Sequence, residues 1–291
     1  MSDSHSSYFV PESSHWPIVS TISLFLLFAG TAMTLNDYAA ANIVLGVGFV
    51  GFLYFMFGWF GEVIRESETG KYSPQVDISF RWSMGWFIFS EIMFFAAFFG
   101  ALFYARMYAG PWLGGEGIGY ATNEFLWPEF SYTWPLLNFP DGSYYSEPSK
   151  VIGAWGLPAI NTLILLTSGA TITFAHWALK HNKRTSLVGW LAATVVLGVL
   201  FMFLQGEEYV HAYHELGLTL NSGIYGATFF LLTGFHGLHV SMGALMIFII
   251  MLRCIKGHFT AEHHFGFEAV AWYWHFVDVV WLFLFVFVYW L

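Results

Sequence analysis

Cysteine is almost absent from this chain. The single Cys254 excludes an intramolecular disulfide. It also excludes any site built from two thiolates, such as a dinuclear copper centre or an iron–sulfur cluster. Charge is scarce as well: 10% of residues are charged, against roughly 25% in a soluble domain. Basic residues are the minority, ten Lys+Arg against nineteen Asp+Glu, for a net −9. That is the wrong sign for a phosphate backbone, so nucleic acid is not an expected partner. Tandem repeats and low-complexity tracts are missing, and so is the polar composition that keeps chains disordered. What fills the 291 residues is apolar: 57% are hydrophobic, 21% aromatic, and the mean hydropathy is +0.60. So few charges cannot cover that much apolar surface in water, and a bilayer removes the difficulty.

A membrane-crossing helix needs about 20 mostly apolar residues. Seven runs meet that length: Trp16–Leu35, 43–61, 84–108, 151–179, 187–205, 223–252 and 267–290. They are continuous rather than alternating, which argues against barrel strands. The expected fold is all-α, a polytopic membrane protein of seven transmembrane helices. Residues 1–15 precede the first span, 16–61 carry the first two, 62–83 form a loop, and 84–291 carry the other five. The polar start, 1–14, lacks the basic flank of a cleavable signal.

Basic residues orient the spans. Arg65, Lys71, Arg81, Lys180, Lys183, Arg184, Arg253 and Lys256 fall on the N-terminal side, and only Arg106 and Lys150 on the other. The N-terminus is therefore expected in the cytoplasm and the C-terminus outside. Nine acids, from Asp37 to Glu215, counted with the outer loops would make that face anionic. Such a face attracts a basic soluble partner, or simply stays wet. The outer stretch 109–150 holds Trp112, Trp127 and Trp134 among turn formers. It reads as an ordered cap, because Trp and Tyr favour the interface.

An ionisable side chain inside a span is a functional suspect. Glu91 lies in the third run among apolar neighbours. It is either a proton-linked or carbodiimide-reactive acid, or a neutral carboxyl hydrogen-bonded to a neighbouring helix. His236 and His239 share a helix face three residues apart. Two imidazoles do not close a metal site, and cross-helix hydrogen bonding is expected instead, with Gly234 and Gly237 permitting close approach. His275 and Asp278 are also three apart and satisfy each other or a neighbour. Glu268 and His263-His264 stand at the mouth of the last span, where solvated or lipid-facing roles are expected. Cys254 reads as a small interfacial hydrophobe. The basic ring of Arg65, Lys71, Arg81, Arg253 and Lys256 suits anionic lipid head groups.

Three function classes compete at this point. A bis-histidine cytochrome needs paired histidines at matching heights, and the spans carry only His176, His236, His239 and His275. A transporter would use Glu91 and Asp278 as coupling carboxylates, but inverted repeats and broken helices are not evident. A non-redox subunit of a larger complex fits the aromatics and the small residues Gly46, Gly48, Gly51 and Gly58, which suit packing against partners and lipid.

Residues 268–283 (EAVAWYWHFVDVVWLF) closely resemble the C-terminal signature of subunit III of the haem–copper cytochrome c oxidases. Supporting matches run in order along the chain. They are Val63-Ile64-Arg65-Glu66-Ser67, Ser90-Glu91, Leu157-Pro158-Ala159-Ile160-Asn161-Thr162, Leu166-Thr167-Ser168-Gly169, 205–209 and 233–239. The resemblance implies a two-helix group splayed from a five-helix group, with phospholipids bound in the cleft. It implies no catalytic residue, metal or haem in this chain. Haem and copper belong to partner subunits: subunit I as direct neighbour, then subunit II, with room for small accessory subunits. The implied role is supportive. It stabilises the catalytic core, sustains proton uptake, and protects the oxygen-reducing site during turnover. The whole complex passes electrons from cytochrome c to oxygen; the equivalent subunit of a quinol oxidase is the alternative.

By position, Trp59 and Arg253 match family lipid-headgroup positions, Glu91 matches the carbodiimide-reactive carboxyl, and Arg65 and Tyr72 flank the same end. Tyr72 stands where many relatives have histidine. Gly61-Glu62 stands where many have another residue followed by Asp. The outer stretch departs from the usual Trp-Pro-Pro, with Trp112-Leu113-Gly114 and an extension to Lys150. That length resembles bacterial forms and implies a bacterial cytoplasmic membrane.

Overall fold

The structure, a computed structural model, describes residues 12–291, and among these every regular element is helical. Most of the expected 1–15 segment lies outside the described residues. Nine α-helices follow in order: α1 Trp16–Leu35, α2 Ala41–Glu68, α3 Pro74–Tyr104, α4 Gly110–Leu113, α5 Tyr120–Leu126, α6 Leu157–Lys180, α7 Arg184–His214, α8 Gly223–Lys256 and α9 Phe265–Leu284. A π-helical turn, Ala105–Ala109, joins α3 to α4, and a second, Phe285–Trp290, extends α9. Seven segments are long and apolar enough to cross a membrane. They are α1, α2, Pro74–Leu113, α6, α7, α8 and Phe265–Trp290. Helix is the required state, because hydrocarbon offers no partner for a free N–H or C=O.

The helices outrun the apolar runs. α2 continues to Glu68 and α3 starts at Pro74, so the expected loop at 62–83 contracts to five residues. α7 reaches His214, which carries Glu207 and Glu208 on helix rather than loop. Hydropathy registers only the hydrocarbon-matched part of a helix. Polar end turns keep their internal hydrogen bonds in water and so stay helical beyond it.

The chain divides into two compact units, 12–80 among the described residues and 81–291. In the first, α1 packs along α2 through small residues. A methyl at Gly30 would strike Leu45, one at Gly48 would strike Leu27, and one at Gly58 would overlap the Trp16 ring. Gly46 faces open space instead. The Trp16 indole, seated over Gly58, donates to the Glu62 carboxylate.

The second unit is built around α9. Trp274 and Trp281 are fully buried, and each donates its indole N–H to a hydroxyl of α6: Trp274 to Ser168 and Trp281 to Thr162, both at 2.9 Å. Buried indoles need such a partner. Two glycines let neighbouring helices approach Trp274: a Cβ would come within 2.9 Å of it from Gly198 on α7 and 2.7 Å from Gly243 on α8. Gly234 and Gly237, where close approach was expected, would meet only ordinary contacts at 3.4 and 3.9 Å. Cys254 is buried in this core rather than interfacial. Its carbonyl accepts from Arg184.

The 109–150 stretch is ordered by local bonds. The Asn123 amide donates to the carbonyls of Leu113, Trp127 and Phe130. Tyr132 donates to Arg106 O, the Arg106 guanidinium lies over Trp134, and the Phe139 ring fills the space beside Gly223 at the start of α8. The Ser143 hydroxyl and amide both donate to Asp141 and hold its carboxyl below the usual range.

Candidate functional site

The sequence-predicted polar residues of the 81–291 unit separate into several sites. Glu91 sits midway along α3 and faces α8. His239 Nε2 lies 2.9 Å from Glu91 Oε2, while His239 Nδ1 lies 2.6 Å from the Phe235 carbonyl one turn back. A carbonyl only accepts, so Nδ1 carries a proton. A deprotonated Nε2 facing a carboxylate would set two acceptors against each other, so one proton lies between Glu91 and His239. The rings of Phe94, Phe95 and Tyr273 pack about the His239 ring, and Glu91 stays partly exposed.

His236, three residues away on α8, goes elsewhere. It is fully buried, and its Nε2 donates to the Val277 carbonyl of α9 at 3.2 Å. The two histidines therefore bond across helices, as their spacing suggested, but to different helices. His275 Nδ1 stands 3.8 Å from Asp278 Oδ2, and its Nε2 is 3.4 Å from Thr173 Oγ1 on α6. Asp278 is buried in a notch made by Gly169, where a Cβ would lie 2.4 Å from its Oδ2.

Two groups escaped the sequence reading. Glu208 was counted with the outer loops, yet it is 1% exposed, accepts from Tyr289 Oη at 2.6 Å, and faces Gln205. Adjacent helical positions lie about 100° apart, so Glu207 stays exposed while Glu208 turns inward. His176 is the second. With His264 and Glu268 it forms a cluster where α6 ends and α9 begins. His176 Nε2 is 3.2 Å from His264 Nε2 and 3.6 Å from Glu268 Oε1, and His264 Nε2 is 3.0 Å from the same oxygen. Arg81 ion-pairs with the other Glu268 oxygen. Glu268 and His264 are thus enclosed rather than solvated, whereas His263 is exposed.

The candidate lipid residues are placed differently. Arg253 sits in the last turn of α8, its guanidinium 4.3 Å from the Phe259 ring centroid. In the 12–80 unit, Trp59 stacks on Phe55 at 5.4 Å and remains half-exposed. Arg65 is exposed beside Glu62, at 3.6 Å. Tyr72 donates to Glu66 at 2.8 Å and packs edge-on against Phe80. Burial pushes the Tyr72 phenol up, and the Glu66 carboxylate that accepts its proton adds to the shift. Within the 81–291 unit, α3 and α9 flank a groove of about 1020 Å³, lined by apolar side chains such as Phe99, Phe276 and Phe283, with Arg106 and His275 as its polar members.

The family model described as Cytochrome c oxidase subunit III matches residues 5–123 and 144–291. The unmatched 124–143 falls inside the long outer stretch. Among similar curated proteins, the cytochrome c oxidase subunit 3 of Salmo salar is 40% identical over 285 residues, covering 98% of this chain and 97% of its own. Those of Hippopotamus amphibius and Dugong dugon are 40% and 38% identical over the same shares.

Proposed function

The chain belongs to the cytochrome c oxidase subunit III family, and from that premise we propose that it is the non-redox subunit of a proton-pumping terminal oxidase that reduces oxygen with electrons from cytochrome c. Oxygen chemistry belongs to the neighbouring subunit I, which with subunit II and small accessory subunits completes the complex. The observation that carries this reading is the use made of the span histidines. His236 bonds Val277, His239 bonds Glu91, His275 faces Asp278 and Thr173, and His176 faces His264 and Glu268. Each imidazole is occupied in joining helices of this chain, which fits a supporting subunit and not a bis-histidine haem.

The support is mechanical and lipidic. α9 is bonded to α6 through Trp274 and Trp281 and to α8 through His236, so the unit forms a firm surface for a partner. Sustained proton uptake by the complex follows from holding that partner in place. Structural phospholipids are assigned to Trp59, Arg65 and Tyr72 on the first unit and to Glu91 and Arg253 on the second. Exposed aromatics suit acyl chains, and guanidinium groups suit phosphate. The groove beside α3 and α9 has the shape and apolarity for further acyl chain. We assign the chain to a bacterial cytoplasmic membrane, N-terminus inside. That rests on the eight-to-two split of basic residues and on the extended outer stretch.

Purification of the tagged chain in mild detergent tests the reading. The expected result is co-purification of a haem-bearing subunit, seen in the optical spectrum and the partner list. A chain recovered alone, or with a Soret band that survives its separation from partners, overturns it.

A further inference from the structure

We propose that His176, His264 and Glu268 form a binding site for a divalent metal ion of the zinc class, which clamps the end of α6 to the start of α9. Three ligands of types that zinc accepts converge there from two elements: one imidazole from the last turns of α6, and an imidazole and a carboxylate four residues apart across the N-terminus of α9. Spacing is the first argument. Ligands each about 2.0–2.1 Å from a tetrahedral ion stand roughly 3.3–3.4 Å from one another. The three separations here are 3.2, 3.6 and 3.0 Å. An ion therefore fits with shifts of a few tenths of an ångström, on the order of the usual tolerance for such sites.

Protonation is the second argument. His264 Nδ1 faces the Thr260 carbonyl at 3.0 Å, so Nδ1 carries a proton and Nε2 is the nitrogen turned toward His176 and Glu268. A ligating histidine is held in just this way when its second nitrogen donates to a backbone carbonyl. His176 Nε2 points at the same centre. Without an ion, protons shared among the two imidazole nitrogens and Glu268 Oε1 hold the three together. An ion would take the nitrogen lone pairs in their place and release those protons to solvent.

Glu268 turns its two oxygens to different partners. Its Oε1 faces the two imidazoles while its Oε2 pairs with Arg81. A carboxylate bonded on its outer oxygen and ligating through its inner one is the usual support of a metal site. The set of two histidines and one glutamate selects zinc over magnesium or calcium, which prefer all-oxygen shells. The three side chains leave the fourth tetrahedral position to a water. His264 is buried, and the ring of Phe267 lies against His176 at 5.5 Å.

The test is a metal count. The chain, carrying a tag without histidine and purified with whatever subunits accompany it, is stripped with a mild chelator and titrated with Zn2+. The count is compared with that of His264→Ala and of the milder His176→Gln, after checking that each variant is still incorporated. The wild type is expected to bind one more Zn2+ than either variant, with affinity at the site weakened about a hundredfold or more when a ligand is removed. An anomalous or density peak should lie among the three side chains. Equal zinc in wild type and both variants, or extra zinc located elsewhere, overturns the proposal. Either result would leave the cluster as a hydrogen-bonded ion-pair network anchored by Arg81. The count does not depend on oxidase activity, so it stands apart from the proposed function.

Discussion

Glu91 on α3 and His239 on α8, 148 residues apart in the chain, face each other across 2.9 Å with a proton between them. The structure shows the carboxyl hydrogen-bonded to a neighbouring helix, one of the two readings of the sequence. Glu91→Ala leaves His239 Nε2 without its partner in a largely apolar setting. That should cost about 1–3 kcal/mol. His239→Ala should cost a similar amount, and the double variant little more than either alone. Thermal unfolding of the purified complex measures this coupling, and simple additivity would dismiss the pair. Glu91→Gln keeps a donor for Nε2, so initial oxygen consumption should stay near the wild-type rate. Immediate total loss would contradict a supporting role.

Arg253 presents its guanidinium beside Phe259 at the end of α8. Arg253→Ala should lower the phospholipid that co-purifies with the complex and shorten its active lifetime. Mass spectrometry of extracted lipid checks this. Unchanged lipid content would remove Arg253 from the headgroup assignment.

Gly169 makes the notch for Asp278, since any Cβ there would come to 2.4 Å from Oδ2. Gly169→Ala should therefore destabilise by about 1–3 kcal/mol through overpacking. In an Asp278→Ala background, where the carboxylate is gone, the same substitution should cost much less. Melting temperatures of the four proteins decide the matter, and an equal cost in both backgrounds would show that the clash is not the cause.

Asn123 ties 113–130 together with one amide, its Nδ2 being 3.1, 3.0 and 3.2 Å from three carbonyls. Asn123→Ala should free this part of the outer stretch. At about 1.4 kcal/mol per factor of ten, losing one net hydrogen bond predicts roughly tenfold faster proteolysis between 114 and 131. Cleavage at the wild-type rate would mean that order comes from Tyr132 and Trp134 instead.

Seven crossing segments, the helical state and the family were legible in the residues themselves. Each depends on local composition: a run of apolar residues satisfies its own backbone only as a helix, whatever lies beside it. The site was legible as a set of suspects, because every ionisable group in a span must find a partner. Which partner was not. Glu208 reads as a loop acid until α7 is seen to continue past it and turn it toward Tyr289, 81 residues away. His176 reads as a lone span histidine until α6 and α9 meet at His264 and Glu268. Such pairings depend on helix order, rotation about each axis and the depth at which two helices cross. None of these is encoded in one helix alone. The sequence by itself determined how many times this chain crosses and with what few polar groups; the tertiary structure alone decided which of those groups meet, because in hydrocarbon any of several partners would serve and packing selects one.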